Sequence, residues 1–366
     1  MDQSQLTRAW LEVNLDAIRR NAQRLAQRAG SPIVAMLKAD AYGLGATAVA
    51  RALCGLTEVW GFGVATVEEG AALRRARIDT RLLCCTPVLN RELLAMHAER
   101  ITPSLSRAAD IATWVSISNA PWHLSIDSGM NRAGVQWNEA GALRGIIATH
   151  PPEGAFTHFA AAAAIEDISR AHQEARFAQA LESAGVRTAN PNVLLHVDSS
   201  VGLAARSPSP YDLARPGVAL YGWPSNSSLG VEPAFVLRAS VIDMRTVPAG
   251  DGVSYNGTWV ADSPRMIATI SIGHADGYRR QLSNAGQVLV SGTRCNVVGI
   301  VTMDMIMVDV TGVACAVGDV ATLIGGNEPN APSLDEVAAW GNLSPYELLV
   351  GLRMRLARVY TRHNDT

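Results

Sequence analysis

The chain has 366 residues, 48% of them hydrophobic and 17% charged, with a formal net charge of -2 at pH 7. That length exceeds one average domain, so two are expected, and the near-neutral balance gives no basic footprint for nucleic acid or an anionic membrane. The charged fraction lies below the roughly 25% of an average soluble protein, which points to surface covered by a partner subunit.

Residues 1–30 are polar and charged, without the apolar core or small-residue cleavage site of a signal peptide, and no uninterrupted apolar stretch of about 18 residues follows. A soluble cytoplasmic protein is expected. The five cysteines, Cys54, Cys84, Cys85, Cys295 and Cys315, lack paired C-x-x-C spacing, so reduced and mostly buried thiols are expected, and no metal site.

From residue 30 to about 222, short apolar runs alternate with charge-dotted helical segments, the pattern of βα units around a parallel sheet. Eight runs are present: 33–38 (IVAMLK), 60–66 (WGFGVAT), 81–86 (RLLCCT), 101–105, 122–128 (WHLSIDS), 154–160 (GAFTHFA), 193–198 (VLLHVD) and 214–221 (ARPGVALY). Eight strands close a barrel, so a (β/α)8 TIM-type α/β barrel is predicted over residues 10–225. Between the runs, 68–77 and 167–184 carry apolar residues at helical spacing, with Arg74, Arg75 and Arg77 on a solvated face. After the Pro- and Ser-rich stretch 223–233 the rhythm turns to β-branched, alternating runs: VLRASVIDM, RMIATISIG, QVLVSG, NVVGIVTMDMIMVDV and DVATLIGG. These predict a C-terminal, mainly β domain over 226–366, with residues 1–9 packing on it.

In such a barrel the active site lies at the C-terminal ends of the strands, and a phosphate is commonly held by the loops after strands seven and eight. Lys38 ends the first run, Arg132 follows the fifth, His158 lies in the sixth, Ser199 and Ser200 follow the seventh, and Arg215 with Gly217 enters the eighth. Desolvation at the end of an apolar strand frees an amine to attack an aldehyde, which marks Lys38. Taken alone, a strand-end lysine also fits one emerging to solvent. In AMLKADAYGLGA, Tyr42, Gly43 and Gly45 let the backbone turn closely around an anion, although a lone G-x-G also fits an ordinary loop.

AMLKADAYGLGA resembles the cofactor-lysine segment of the bacterial alanine racemases, which are fold-type III pyridoxal phosphate enzymes. IDSGMNRAGV, THFAAA, HVDSSVG, RPGVALYG, GDGVSYNGTW, IGHADGYRR, GIVTMDM and YELLVGLRMRLAR match the same family, so the resemblance runs nearly end to end. It implies an isomerase that interconverts L- and D-alanine with pyridoxal phosphate, supplying D-alanine for peptidoglycan precursors. It also implies a head-to-tail homodimer with shared active sites. Lys38 would carry the cofactor as a Schiff base and serve one face of the substrate, and Tyr255 of the partner subunit would serve the other. Racemisation takes the α-proton from one face and returns one to the other, which suits two opposed acid-bases.

By the same resemblance Arg215 would face the cofactor's ring nitrogen. A guanidinium donates but does not accept and holds its proton, so that nitrogen stays unprotonated and side reactions such as transamination are limited. His196 would hydrogen-bond Arg215, and His158 would sit beside the ring and the catalytic tyrosine. Tyr42, Ser200, Gly217 and Val218 would bind the phosphate. Arg132 would contact the cofactor's phenolic oxygen and the substrate carboxylate, assisted by the backbone N–H of Met303 from the partner subunit. Read from the residues alone, Tyr255 also fits a core tyrosine, Arg215 a surface residue, and each histidine a satisfied core residue.

Five positions depart from the family pattern. Ser125 stands where many members have a carbamylated lysine steadying the arginine seven residues on, so Arg132 needs another partner, such as an anion. Met354 stands where some members have a tyrosine reaching the phosphate. Ala163, Ile300 and His274 stand along the substrate entrance where aspartate, arginine and tyrosine are frequent, and slow turnover of somewhat larger substrates such as serine is expected. The rival readings are a broader alanine/serine racemase, a fold-type III pyridoxal phosphate decarboxylase, and a pyridoxal phosphate carrier without turnover. Decarboxylases support a protonated ring with an acidic residue and supply a cysteine from the β domain, where this chain has Arg215 and Thr302-Met303-Asp304. The second domain with Tyr255 speaks against a simple carrier.

Overall fold

The computed structural model describes residues 7–160, 168–224, 228–352 and 355–361. Every one of the eight apolar runs contains a strand: Ile33–Met36, Val59–Val64, Leu82–Pro87, Ile101–Leu105, His123–Asp127, Gly154–Phe156, Leu194–Ser199 and Leu213–Arg215. Each pairs in parallel with the next in the chain, and Ala214 beside Ile33 closes the ring. Burial on both faces explains why these strands read as continuous apolar runs rather than alternating ones.

The sixth and eighth strands stop well short of their runs. The sixth ends at Phe156, so His158 lies beyond the strand rather than in it. The eighth ends at Arg215, because Pro216 has no N–H to continue the ladder, and the chain tightens into a 3-10 turn over Val218–Tyr221.

The helix expected over 68–77 is Val67–Arg75, with the Thr66 hydroxyl accepting the Glu69 N–H at its start. Its arginines are not all on a solvated face. Arg74 turns under the helix end and donates to the carbonyls of Ile78, Thr80, Glu99 and Arg100, since a last-turn arginine can neutralise orphaned loop carbonyls. The helix expected over 167–184 runs Ile168–Ser183. Asp167, Ala163 and Met354 lie outside the described residues.

The second sheet is mainly antiparallel and is built on the long strand Phe235–Val247. That strand pairs with Val320–Gly325 on one side and with Ala9–Asn14, from the other end of the chain, on the other. Ala9–Asn14 in turn pairs in parallel with Ala357–Thr361. Asn14 ends this strand and caps the next helix, Leu15–Ala29, its side chain accepting the Ala17 N–H at 2.9 Å. That helix buries Ile18, Ala22 and Leu25 beside the barrel, so the first strand and the first barrel helix are joined without a linker.

The run NVVGIVTMDMIMVDV, read as part of the mainly β domain, folds back on itself. Gly299 takes φ +77°, Val297 bridges Val308, and only Ile306–Asp309 is a strand. The turn is closed by Thr302, whose N–H and hydroxyl both donate to the Met305 carbonyl, and this puts Met303 at an exposed tip. The cysteines are unpaired as expected but less uniformly buried: Cys84 and Cys295 are buried, Cys85 and Cys315 half-buried, and Cys54 exposed at its helix end. Among the described residues no helix is long and apolar enough to cross a membrane, and no cluster of metal-ligating side chains occurs.

Candidate active site

A cavity of about 800 Å³ opens at the C-terminal ends of the barrel strands. Lys38 enters it two residues past the end of the first strand, at the head of an unusual turn. Ala39, Asp40 and Ala41 all take φ +54°, and Tyr42 takes φ +57°. Left-handed backbone costs an L-residue about 1–2 kcal/mol, so four in succession must be held by their surroundings. Gly43 and Gly45 then continue with positive φ where no side chain resists it. The Ala41 and Gly43 N–H groups return to the carbonyls of Leu37 and Ala39, each at 2.8 Å. From outside, Asp40 accepts the Ala46 N–H at 2.7 Å, and Glu69 accepts the N–H groups of Ala39 at 2.8 Å and Ala65 at 2.7 Å. This turn brings Lys38 and Tyr42 to the same cavity.

Tyr42 is 7% exposed, yet its phenol makes no hydrogen bond to any described residue. Burial holds it protonated well above the ordinary range. A Cβ placed on Gly217 would collide with the phenol oxygen, so the glycine lets the phenol sit close against the backbone here. The Ser200 hydroxyl oxygen accepts the N–H groups of Gly217 at 3.0 Å and Ala219 at 3.2 Å. The Gly217 N–H is thus engaged, while the Ser200 hydroxyl proton is left to point elsewhere. Ser200, Gly217 and Val218 border the cavity together with Tyr42, after strands seven and eight.

At the end of the eighth strand, Arg215 is 6% exposed. It donates to His196 Nδ1 at 2.9 Å, to the carbonyls of Thr157 at 2.8 Å and Val197 at 3.2 Å, and to the His196 carbonyl, which leaves its Nε–H over. Phe156 lies under the guanidinium and stacks on His196. His196 stands behind Arg215 rather than on the cavity wall. His158 does line the cavity, and burial, with Arg215, Arg132 and Lys38 nearby, pushes its pKa down to about 3. It is a neutral imidazole at any ordinary pH.

Arg132 also borders the cavity, and no carboxylate pairs with its guanidinium among the described residues. Its backbone is fixed by Asp127, whose buried carboxylate accepts the N–H groups of Gly129 at 2.9 Å, Asn131 at 3.1 Å and Arg132 at 3.1 Å. Ser125 lines the cavity nearby. Tyr255 and Met303 do not. They are 66% and 58% exposed and lie on a face of the C-terminal domain that also carries Ile300, whose carbonyl accepts the Ser254 hydroxyl at 2.8 Å.

Four supporting residues were not singled out by the sequence: Glu69, His123, Asp127 and Glu153. Asp127 had a signal, since Asp-Ser-Gly after an apolar strand announces a side chain folding back on the following amides. His123 sits two residues before Ser125 on the same inward face, and Glu69 is one glutamate of two in a helix start. Nothing local distinguishes them from their neighbours.

A closed parallel barrel with a lysine on a strained strand-end turn, a corner of hydroxyl and backbone groups after strands seven and eight, and a buried arginine at the end of the adjoining eighth strand defines a barrel enzyme of the lysine-dependent kind. Two family models match the chain: the alanine racemase N-terminal domain over residues 13–224 and the alanine racemase C-terminal domain over 234–360. The chain belongs to the alanine racemase family. It is 35% identical over 358 residues to the alanine racemase of Deinococcus radiodurans, covering 96% of this chain and 99% of that one. It is 36% identical over 368 residues to that of Geobacter sulfurreducens, covering 95% and 96%. Among solved structures, the alanine racemase from D-cycloserine-producing Streptomyces lavendulae superposes with a TM-score of 0.89 at 31% identity over 98% of both chains. The alanine racemase of Bartonella henselae, solved with covalently bound pyridoxal phosphate, superposes with a TM-score of 0.86 at 29% identity, covering 97% of this chain and 100% of that one.

Proposed function

We propose that the chain interconverts L- and D-alanine as a homodimer, with pyridoxal phosphate held covalently on Lys38 and Tyr255 of a second copy acting on the opposite face of the substrate. The observation that carries this reading is the cavity that brings together Lys38, the buried Arg215 and the Tyr42 phenol, which makes no hydrogen bond to the described residues. The residues present fit the cofactor: Tyr42, Ser200, Gly217 and Val218 line one part of the cavity with hydroxyl and backbone groups that suit a phosphate. Bound pyridoxal phosphate supplies an electron sink for the pair left when the substrate loses its α-proton.

The protein's part is orientation and proton handling. Arg215 offers its remaining Nε–H and has no proton to give up at neutral pH, so it leaves a ring nitrogen opposite it as an acceptor. The neutral His158 adds no further charge beside it. Arg132, on a backbone locked by Asp127, is the cation for a substrate carboxylate. The Lys38 amine is the acid-base on its own side.

Tyr255, Met303 and Met305 form an exposed apolar face outside the cavity lining, which supports their serving a neighbouring copy's site. The unpaired thiols suit a reducing compartment such as the cytoplasm. The test is α-proton exchange by NMR, with the protein, pyridoxal phosphate and L-alanine in heavy water. Deuterated D- and L-alanine approaching equal amounts is expected. Ethylamine would establish a decarboxylase instead, and no exchange with any amino acid would leave a cofactor carrier.

A further inference from the structure

All the hydrogen-bond partners of Arg215 are neutral, and the carboxylate that acts on it through space, Asp198, is itself paired with Arg170 at 2.9 Å, so the buried guanidinium depends on how those neutral partners are oriented. The hydrogen bonds continue outward from it. His196 Nε2 lies 2.7 Å from His123 Nδ1, His123 Nε2 lies 3.4 Å from a Glu153 carboxylate oxygen, and the other oxygen of Glu153 meets Arg81 at 2.6 Å. Both histidines are fully buried. They lie on strands five and seven, and Gly154 on the strand between them makes the contact possible: a Cβ there would stand 2.5 Å and 2.6 Å from atoms of the His123 ring.

The direction of this chain is forced. A guanidinium only donates, so His196 accepts at Nδ1 and, when neutral, carries its proton on Nε2. That proton is donated to His123 Nδ1, which leaves the His123 proton on Nε2, directed at the Glu153 carboxylate. Protonating either imidazole would set donor against donor. Burial and the nearby Arg215 accordingly lower the pKa of both, with Glu153 pulling His123 the other way.

We infer that His123 and Glu153 are positioning residues for Arg215: together they fix the tautomer of His196 and aim the guanidinium at the cavity. This rests on the proposed role of Arg215 toward the cofactor ring. A link that merely tied strands together would lower stability without altering reaction selectivity.

The test combines imidazole nitrogen NMR on histidine-labelled holoenzyme with the kinetics of three variants. His123→Leu removes the acceptor, His123→Asn keeps an oxygen near the Nδ1 position, and Gly154→Ala displaces the ring without removing a polar atom. Wild-type His196 and His123 are expected to be neutral with protons on Nε2. His123→Leu and Gly154→Ala are expected to lower kcat by about tenfold with KM within about twofold, the scale of other supporting-shell losses. Pyruvate released per alanine racemised should rise in both, and His123→Asn should restore both quantities. A His196 proton on Nδ1, or folded His123→Leu with unchanged kcat and pyruvate ratio, would overturn the inference. If His123→Leu does not fold, the wild-type tautomers and Gly154→Ala decide it. Wild-type protein with these tautomers and no racemisation would instead overturn the functional reading.

Discussion

Glu69 accepts the N–H of Ala39 at 2.8 Å, the peptide group directly after Lys38. Its second oxygen takes the Ala65 N–H, so one carboxylate ties the lysine's turn to the end of the neighbouring strand. Glu69→Ala leaves both amides without this acceptor and is expected to cost about 2 kcal/mol in denaturant unfolding, with Glu69→Gln, which retains one oxygen, costing about half as much. The alanine variant should also lose kcat, because the Lys38 side chain is no longer held in register. A variant as stable and as active as the parent would show that the left-handed turn holds itself.

The same turn predicts an unusual response to glycine. Ala39 is exposed and sits at φ +54°, so Ala39→Gly relieves about 1–2 kcal/mol of left-handed strain against about 0.5–1 kcal/mol of lost chain entropy. Thermal unfolding should show unchanged or slightly higher stability, where glycine in an ordinary helix would destabilise. Ala39→Val should be clearly destabilised.

Shared sites predict complementation between inactive chains. Lys38→Ala and Tyr255→Phe should each abolish racemisation alone. After subunit exchange at equal amounts, about half the dimers are mixed, and each mixed dimer has one intact site of two, so about a quarter of wild-type activity should return. No recovery despite demonstrated exchange would place Tyr255 outside the partner's site.

The buried imidazoles set an acid limit. Burial holds His123, His158 and His196 below their ordinary 6.5, so under acid conditions the unfolded chain binds more protons than the folded one. Stability is therefore complete above pH 6.5 and declines as the pH falls toward the folded values. Carboxylates held below 4.5, such as Glu153 and Glu232, add their own loss only below that point. Urea unfolding between pH 6.5 and 4.5 should show the histidine contribution by itself, with a shallower decline in His158→Gln. Equal stability at both ends of that window would contradict the assignment.

Ile300 and His274 share the exposed loops with Tyr255 and Met303, the His274 N–H donating to the Thr302 carbonyl at 3.0 Å. If this face meets a neighbouring cavity, the entrance there is less charged and wider than one built with arginine and tyrosine. L-serine should then be turned over with kcat/KM about a hundredfold below L-alanine, the size of penalty an apolar pocket sets on an added hydroxyl. An undetectable serine rate would refute a looser gate.

The barrel was legible because its strands are buried on both faces: 33–38, 101–105 and 193–198 each read as apolar runs, and each carries a strand. Strand ends were harder to place, since Pro216 stops a ladder that the apolar pattern carries on to Tyr221. Lys38, Tyr42, Arg132 and Arg215 were visible as polar residues at strand ends, and the structure gathers them around one cavity. His123 and Glu153 were not, because their contacts cross the barrel wall between strands far apart in the chain. Arg74 misled for a related reason: helical periodicity shows which face it occupies but not that four loop carbonyls lie within reach of it.

The placement of Ala9–Asn14 between Phe235–Val247 and Ala357–Thr361 has a consequence for biosynthesis. A strand made early is completed by one made much later: Leu11 pairs with Leu237 and Arg358. At the ordinary pace of about 5–20 residues per second, ribosomes leave that strand waiting for about 20–70 s. Until then it carries an open hydrogen-bonding edge on the nascent chain. A chain stalled short of residue 357 therefore displays bare the edge of Ala9–Asn14 that Ala357–Thr361 covers in the completed sheet.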